Sequence, residues 1–144
     1  MNDTKLHIPE DIDEQLDDQL YIDAFYIAID WLKNSSDDSF DNEDNPVQTL
    51  IDYFKEFEDE QIKAFIVASG ISHFSLKDIF EKIKNHEYTL REDVTNDKDI
   101  GYMQAEAMEL PQWAYIYFDF EKFGSDVKID LNGTLSDYGW FNFN

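Results

Sequence analysis

The sequence predicts a mostly helical α+β fold, with a small helical bundle followed by a small C-terminal antiparallel hairpin or sheet. Apolar residues recur every three or four positions between residues 46 and 108, which is typical of helices with one buried face. Residues that favour helix N-termini precede several of these runs. After Pro111 the pattern changes to short alternating stretches with an Asn-Gly turn, which indicates strands. With 144 residues, the chain suits one compact unit or two small lobes.

The N-terminal part, residues 1–45, is predicted to hold one helix and a linker. A helix over residues 11–33 follows from a narrow polar stripe at three- and four-residue spacing. The stripe consists of Gln15, Gln19, Asp23, Tyr26, Asp30 and Lys33. Nearly everything else between Leu20 and Leu32 is apolar, so this helix needs cover from its own chain or from a partner. A strand remains the alternative, because Tyr, Ile, Phe and Trp are frequent there.

Residues 34–45 are acidic and polar, and we interpret them as a linker at the clearest domain boundary. The alternative interpretation of the same composition is a solvated, disordered loop. The sequence therefore predicts a domain boundary near residue 45.

The middle domain, residues 46–108, is predicted to contain short helices joined by short links, as in a small bundle. Asn45 precedes the first with Pro46 in its first turn, and Asp59 precedes a second that ends at Ser69 before Gly70. The third and fourth begin after Ser75 and Asn96. The expected inward residues are Val47, Leu50, Ile51, Phe54 and Phe57, then Ile62, Phe65, Ile66 and Ala68, then Leu76, Ile79, Phe80 and Ile83, and finally Ile100, Met103, Ala107 and Met108.

The C-terminal domain, residues 109–144, is predicted to be α+β. Residues 112–118 suit a last short helix, and Val127, Ile129 and Leu131 alternate with charged residues like a half-buried strand. Asn132-Gly133 is a strong hairpin-turn signal. The returning strand would contain Trp140, Phe141 and Phe143.

Charge limits the classes of partner. Asp and Glu number 33 against 11 Lys and Arg, a net charge of -22, and residues 1–60 alone hold 19 acids and 3 bases. Such a surface repels nucleic acid and anionic membranes and is attracted to basic surfaces, among which DNA-binding clefts are the most strongly charged. The N-terminus shows no signal-peptide pattern and no apolar run suits a membrane span, so we expect a cytoplasmic protein.

No pattern in the sequence predicts a catalytic or metal site. The absence of cysteine excludes disulfides and Cys-ligated zinc, and His7, His73 and His86 lack ligand spacing. Residues 130–133 resemble part of a calcium loop, but Lys128 and Gly139 occupy its first and twelfth positions. No phosphate loop, serine elbow or cysteine nucleophile is present, so we predict neither an enzyme nor a cofactor.

Two sets of acidic residues have spacings that suit a repeating negative array. Helix neighbours three or four residues apart lie about 5–6 Å apart at Cβ, a distance of the same order as the phosphate repeat of DNA. The predicted phosphate-mimicking acids are Asp11, Glu14 and Asp18 on the first helix, and Asp52, Glu56 and Glu60 on the next. The alternative is an ordinary solvated helix face, and the overall charge deficit favours mimicry.

One ordered set of short motifs resembles a known family. Ile100-Gly101-Tyr102 and Pro111 come first, followed by a segment of alternating aromatic and acidic residues, 117–121, and then by Phe123-Gly124-Ser125-Asp126. In this order they resemble the ArdA antirestriction family over residues 46–144. Two features depart from that family: Ser125 stands where it usually has Arg, and residues 1–45 do not resemble its N-terminal domain.

The resemblance implies an acidic DNA mimic, an elongated homodimer that occupies the DNA-binding groove of type I restriction–modification enzymes. It also implies that the motif lies near the dimer interface. The motif residues are Tyr117, Phe118, Asp119, Phe120, Glu121, Phe123, Gly124 and Asp126. For the four aromatic residues the alternative is a plain hydrophobic core.

Two other functions remain open on charge alone. The protein could inhibit or regulate a different basic protein, such as a CRISPR nuclease or a repressor. A hydrolase working through carboxylates is disfavoured by the absent motifs.

Overall fold

The chain is mostly helical with a small antiparallel sheet near its C-terminus, as predicted. This computed structural model describes residues 6–71 and 73–144. The chain divides into two compact units, the first ending at Glu87 and the second spanning Tyr88–Asn144. The boundaries expected near residues 45 and 108 both fall inside units, so the observed division differs from the expected one.

The first unit packs helices around a cluster of phenylalanine rings. Its helices are α1 (Ile12–Gln15), α2 (Gln19–Asn34), α3 (Pro46–Glu56), α4 (Asp59–Ile71) and α5 (Leu76–Lys84). Phe54 of α3, Phe65 of α4 and Phe80 of α5 are fully buried. The ring centroids of Phe65 and Phe80 are 4.8 Å apart in a stacked pair, and Phe54 meets both edge-on at 5.2 and 5.3 Å. These contacts join three helices at the centre of the unit.

The helix predicted over residues 11–33 is two helices, and the alternative strand is wrong. The chain leaves the helical conformation at Leu16, which is buried, and starts again after Asp18. Asp18 has extended backbone, and its carboxylate accepts a hydrogen bond from the backbone N–H of Leu20 at 2.9 Å. The capping carboxylate of Asp18 therefore starts a second helix within the stretch that was predicted to be one continuous helix.

The expected polar stripe of α2 faces outward, and its apolar side is covered by the chain itself. Asp23, Tyr26 and Asp30 are exposed. The buried residues are Ala24, Phe25, Ala28, Ile29 and Leu32, and α2 packs against α3 and α4.

The acidic stretch before α3 is an anchored loop inside the first unit. Phe40 is fully buried, with its ring centroid 6.0 Å from that of Phe80. Asp37 accepts hydrogen bonds from the indole N–H of Trp31 at 2.7 Å, the backbone N–H of Ser39 at 2.8 Å and the backbone N–H of Leu76 at 2.7 Å. One carboxylate thus ties the loop to α2 and to the start of α5, which composition alone does not reveal.

Asp37 is held in its charged form by these donors. Partial burial raises its pKa, but the hydrogen bonds from Ser39, Leu76 and Trp31 outweigh this effect and leave the pKa lower than that of an ordinary aspartate.

Three of the predicted helix caps are confirmed. The side chains of Asn45, Ser75 and Asn96 accept hydrogen bonds from backbone N–H groups at 3.1, 3.2 and 2.9 Å. The predicted second helix differs at both ends, because α4 already includes Asp59 and continues through Gly70.

The second unit combines two helices, a 3₁₀ helix and a sheet. Its elements are β1 (Tyr88–Arg91), α6 (Asp97–Ala107), the 3₁₀ helix (Gln112–Tyr117), α7 (Phe120–Val127), β2 (Thr134–Ser136) and β3 (Gly139–Phe143). The sheet is antiparallel with the order β1-β3-β2. In its register Tyr88 lies opposite Phe143, and Thr134 lies opposite Phe141. The returning strand with Trp140, Phe141 and Phe143 is confirmed as β3.

The strand predicted at residues 127–131 and the hairpin turn at Asn132-Gly133 are wrong. Val127 ends α7, and Ile129 is 81% exposed outside any strand. Residues 137 and 138 join the hairpin strands instead. Asn132 has a φ of 53°, so the Asn-Gly signal marks a turn that precedes β2.

The inward face predicted for α6 is only partly right. Ile100 is buried, whereas Ala107 and Met108 are exposed. Gly101 and Ala105 are buried instead, because the face towards α7 is built from small residues.

We predict that Asp37→Ala lowers the free energy of unfolding by about 1.5–3 kcal/mol, because it leaves three hydrogen-bond donors without their charged acceptor. Urea unfolding measures the change. Asp38→Ala, an exposed neighbour, is the control and should change stability by less than about 0.5 kcal/mol.

The same pair of variants has a pH signature. Since the pKa of Asp37 is lowered on folding, its contribution is present above pH 4 and is lost as the pH falls further. The wild type should therefore lose stability more steeply than Asp37→Ala below about pH 4. Parallel curves for the two proteins would contradict the anchoring role.

Candidate functional site

The first predicted row of acids does not lie on one helix. Asp11 precedes α1 and accepts a hydrogen bond from the Gln15 side-chain amide at 2.9 Å, Glu14 lies in α1, and Asp18 caps α2. All three side chains are exposed. The helical spacing assumed for this row is therefore wrong, while the acids still lie at the surface of one short segment.

The second predicted row is also interrupted. Asp52 and Glu56 belong to α3, and Glu60 belongs to α4, because the chain leaves the helix at Phe57. Phe57 is buried and has extended backbone, so the core sets this break. Asp52, Glu56 and Glu60 are exposed. The two rows thus sit on four helical segments, and their spacing depends on tertiary packing.

Tertiary packing brings Asp18 of the first row together with acids outside both rows around Tyr21. A surface depression of about 280 Å³ is lined by Gln15, Leu16, Asp17, Asp18, Tyr21, Lys55 and Asp59. The Tyr21 hydroxyl donates a hydrogen bond to the Phe57 carbonyl oxygen at 2.7 Å. Burial, together with the neighbouring carboxylates of Asp59, Asp18 and Glu58, raises the pKa of Tyr21 to about 12. The break before α2 and the junction of α3 with α4 therefore form one acidic surface.

A second group of acids surrounds Tyr53. Its hydroxyl donates a hydrogen bond to Glu81 Oε1 at 2.6 Å, and its ring stacks on Phe80 at 4.7 Å. Burial raises the pKa of Tyr53, and Glu81, Glu43 and Glu56 act in the same direction. A half-buried tyrosine thus holds Glu81 through a hydrogen bond, and the charges of Glu43 and Glu56 lie close enough to act on the same hydroxyl.

Several acids of these two groups have no signal in the sequence. Asp17, Glu58, Asp59, Glu43 and Glu81 belong to them, and no spacing along the chain links these five residues. The net charge of the region was the only available signal. Residues 1–87 contain 22 acids and 7 bases, so the bases cannot neutralise the surface of the first unit.

The predicted aromatic–acidic motif is divided between core and surface. Phe120 is 5% exposed and Gly124 is buried, whereas Tyr117 is 81% exposed. Phe118 and Phe123 are half-buried. The remaining members, Asp119, Glu121 and Asp126, are exposed. A core role therefore accounts fully for Phe120 and only in part for its neighbours.

Phe120 is the centre of an aromatic cluster. Its ring stacks on Tyr102 with centroids 4.0 Å apart, and the rings of Phe118 and Tyr115 lie at 5.0 and 5.3 Å. Asp119 caps α7 by accepting a hydrogen bond from the backbone N–H of Lys122 at 3.0 Å. Within the motif, Asp119 thus starts α7 and Phe120 packs this helix against α6.

Two glycines allow α6 and α7 to approach closely. A Cβ at Gly101 would overlap the carbonyl oxygen of Phe120, and a Cβ at Gly124 would overlap that of Asp97. Lys128 Nζ also pairs with Asp97 Oδ1 at 3.0 Å. The two glycines of the motif set are therefore explained by backbone packing.

Comparison with known proteins gives no match: no family model, no curated protein and no solved structure matches this chain. Within residues 6–71 and 73–144, no three His, Asp or Glu side chains are grouped so that they could hold a metal ion. No helix in the described part of the chain has both the length and the apolar character needed to cross a membrane.

We predict that Gly124→Ala and Gly101→Ala each destabilise the second unit by more than about 2 kcal/mol, since the added methyl group meets backbone that cannot move aside cheaply. Hydrogen exchange should locate the loss of protection in Tyr88–Asn144. Gly70→Ala is the matched control, because nothing lies within 4 Å of its Cβ position in α4.

The control should leave stability unchanged or raise it by up to about 1 kcal/mol, owing to the better helix propensity of alanine. Equal behaviour of the three variants would contradict the close crossing of α6 and α7.

Proposed function

We propose that this chain is an acidic DNA mimic that inhibits type I restriction–modification enzymes by occupying their DNA-binding groove. The main support for this proposal is the acidic surface of the first unit, where carboxylates from several helical segments lie close together around Tyr21 and Tyr53. A net charge of -15 over residues 1–87 supports the proposal, because a groove that binds phosphates attracts such a surface. The link to type I enzymes rests on the resemblance to the ArdA family.

Inhibition by this mechanism is competitive binding and requires no catalytic residue, cofactor or metal. Lys and Arg side chains that contact phosphates in DNA would contact carboxylates instead. Exposed ion pairs contribute about 0.2–1 kcal/mol each, so the affinity is spread over many acids. Electrostatic attraction also speeds the encounter with the target. The protein would act in the cytoplasm, where its target meets DNA.

We predict inhibition that weakens with salt, without direct DNA binding. A purified type I restriction–modification complex should lose inhibition progressively between about 50 and 500 mM salt, since salt screens exposed charges. A gel shift with the inhibitor and DNA alone should show no complex. Tight DNA binding, or inhibition unchanged across this range, would contradict the proposal.

Charge neutralisation refines the same assay. The triple variant Asp11→Asn, Glu14→Gln and Asp18→Asn keeps side-chain shape and the capping oxygen of residue 18, and should weaken inhibition gradually. The matched control, Glu106→Gln, Asp130→Asn and Asp137→Asn, removes three exposed charges from the second unit and should have the smaller effect. Abolition by one of the first three changes alone would indicate a discrete site. A pull-down that captures another basic protein, such as a CRISPR nuclease or a repressor, would favour the alternative target.

We also propose a homodimer, on the strength of the resemblance. Burial of Phe120 means that Phe120→Ala tests folding, whereas the exposed Tyr117 suits a test of the interface. Sedimentation equilibrium at micromolar concentration should give twice the 17.0 kDa chain mass, and Tyr117→Ala should weaken the dimer while leaving the unfolding transition unchanged. A monomer at 17.0 kDa would contradict the dimer. An unaltered dimer in the variant would remove Tyr117 from its interface.

A further inference from the structure

The 3₁₀ helix presents a ridge of two large apolar side chains to solvent. Trp113 is 70% exposed and Ile116 is 77% exposed. Side chains three residues apart in a 3₁₀ helix lie almost directly above one another, so these two share a side that Tyr117 does not. We call this pair the Trp113–Ile116 ridge.

The 3₁₀ helix that carries the ridge is packed against the rest of the second unit. Tyr115, on another side of the same 3₁₀ helix, packs against the buried Phe120 with ring centroids 5.3 Å apart. Phe120 in turn stacks on Tyr102 of α6. The aromatic cluster of the second unit therefore fixes the 3₁₀ helix, and the ridge is exposed on a segment that is packed on its other side.

The charged residues nearest the ridge along the chain are acidic. Residues 110–118 carry no charge, and residues 99–121 contain five acids and neither Lys nor Arg, with Lys98 and Lys122 directly outside this range. Glu106 and Glu109 before the ridge and Asp119 and Glu121 after it are exposed. An apolar centre flanked by acids is complementary to a surface with an apolar centre and a basic rim. Two copies that met through the ridge itself would bring these acids towards each other, which is unfavourable. The homodimer proposed above would use the side of Tyr117 and not this ridge.

We propose that the Trp113–Ile116 ridge is a docking surface for a partner protein whose contact face has an apolar centre and a basic rim. Trp anchors contribute heavily to such contacts, and arginine in the rim can both pair with carboxylates and stack on the indole ring. This surface lies in the second unit and is additional to the acidic surface of the first. Its contribution should persist in salt that weakens the purely electrostatic contact.

The test uses the full chain and a labelled helical peptide with arginines on one face and leucines on the other. A second peptide keeps the arginines and replaces the leucines with alanine. Fluorescence anisotropy in about 500 mM salt should show that the leucine peptide binds the wild type about tenfold more tightly than the alanine peptide. The double variant Trp113→Ala and Ile116→Ala should remove that difference.

Ile129→Ala is the matched control, since Ile129 is 81% exposed in the same unit but lies outside the ridge. It should retain the tenfold preference. Glu109→Gln should weaken binding of the leucine peptide more in low salt than in high salt, as expected for a charge at the rim of the contact.

Three results would overturn the proposal: a wild type that does not distinguish the peptides, a double variant that behaves like the wild type, or an equal loss in Ile129→Ala. Self-association of the wild type that the double variant abolishes would assign the ridge to a second copy. No restriction enzyme enters this test, so its failure is distinct from failure of the inhibitor proposal.

Discussion

The fold is stable only if it offsets the electrostatic repulsion within a chain of 144 residues that has a net charge of -22. Repulsion among exposed carboxylates opposes compaction, and only burial of apolar surface can offset it at this scale. In the first unit, aromatic side chains provide this burial, since Phe54, Phe65 and Phe80 are fully buried and in mutual contact. The same rings position Tyr53, which stacks on Phe80 and bonds to Glu81. The core therefore both stabilises the fold and arranges the acids at its surface.

Some acids also stabilise the fold directly. Asp18 and Asp119 accept hydrogen bonds at helix N-termini, where the helix dipole favours negative charge. Asp37 accepts three hydrogen bonds and joins a loop to two helices. Negative charge is thus used at helix starts and loop anchors. These contacts hold in place the segments that display the remaining carboxylates.

Local signals in the sequence were enough for much of the fold. Asn45, Ser75 and Asn96 act as the predicted caps because capping depends on residues only two or three positions away. The structural predictions that are wrong concern features that depend on long-range packing. Gly124 lies within α7, where its missing side chain lets α6 approach, and no local pattern indicates this contact. The acids around Tyr21 come from separate elements, so spacing along the chain could identify Asp18 but not its neighbour Asp59.

The proposed function requires that the folded acidic surface compete with DNA for one groove. A type I restriction–modification complex bound to a labelled duplex provides the direct measurement, with this protein added at several DNA concentrations. Competition predicts that this protein displaces the duplex and that its apparent affinity for the enzyme falls in proportion as the DNA concentration increases. A stable ternary complex of enzyme, duplex and this protein would contradict it, as would an affinity independent of the DNA concentration.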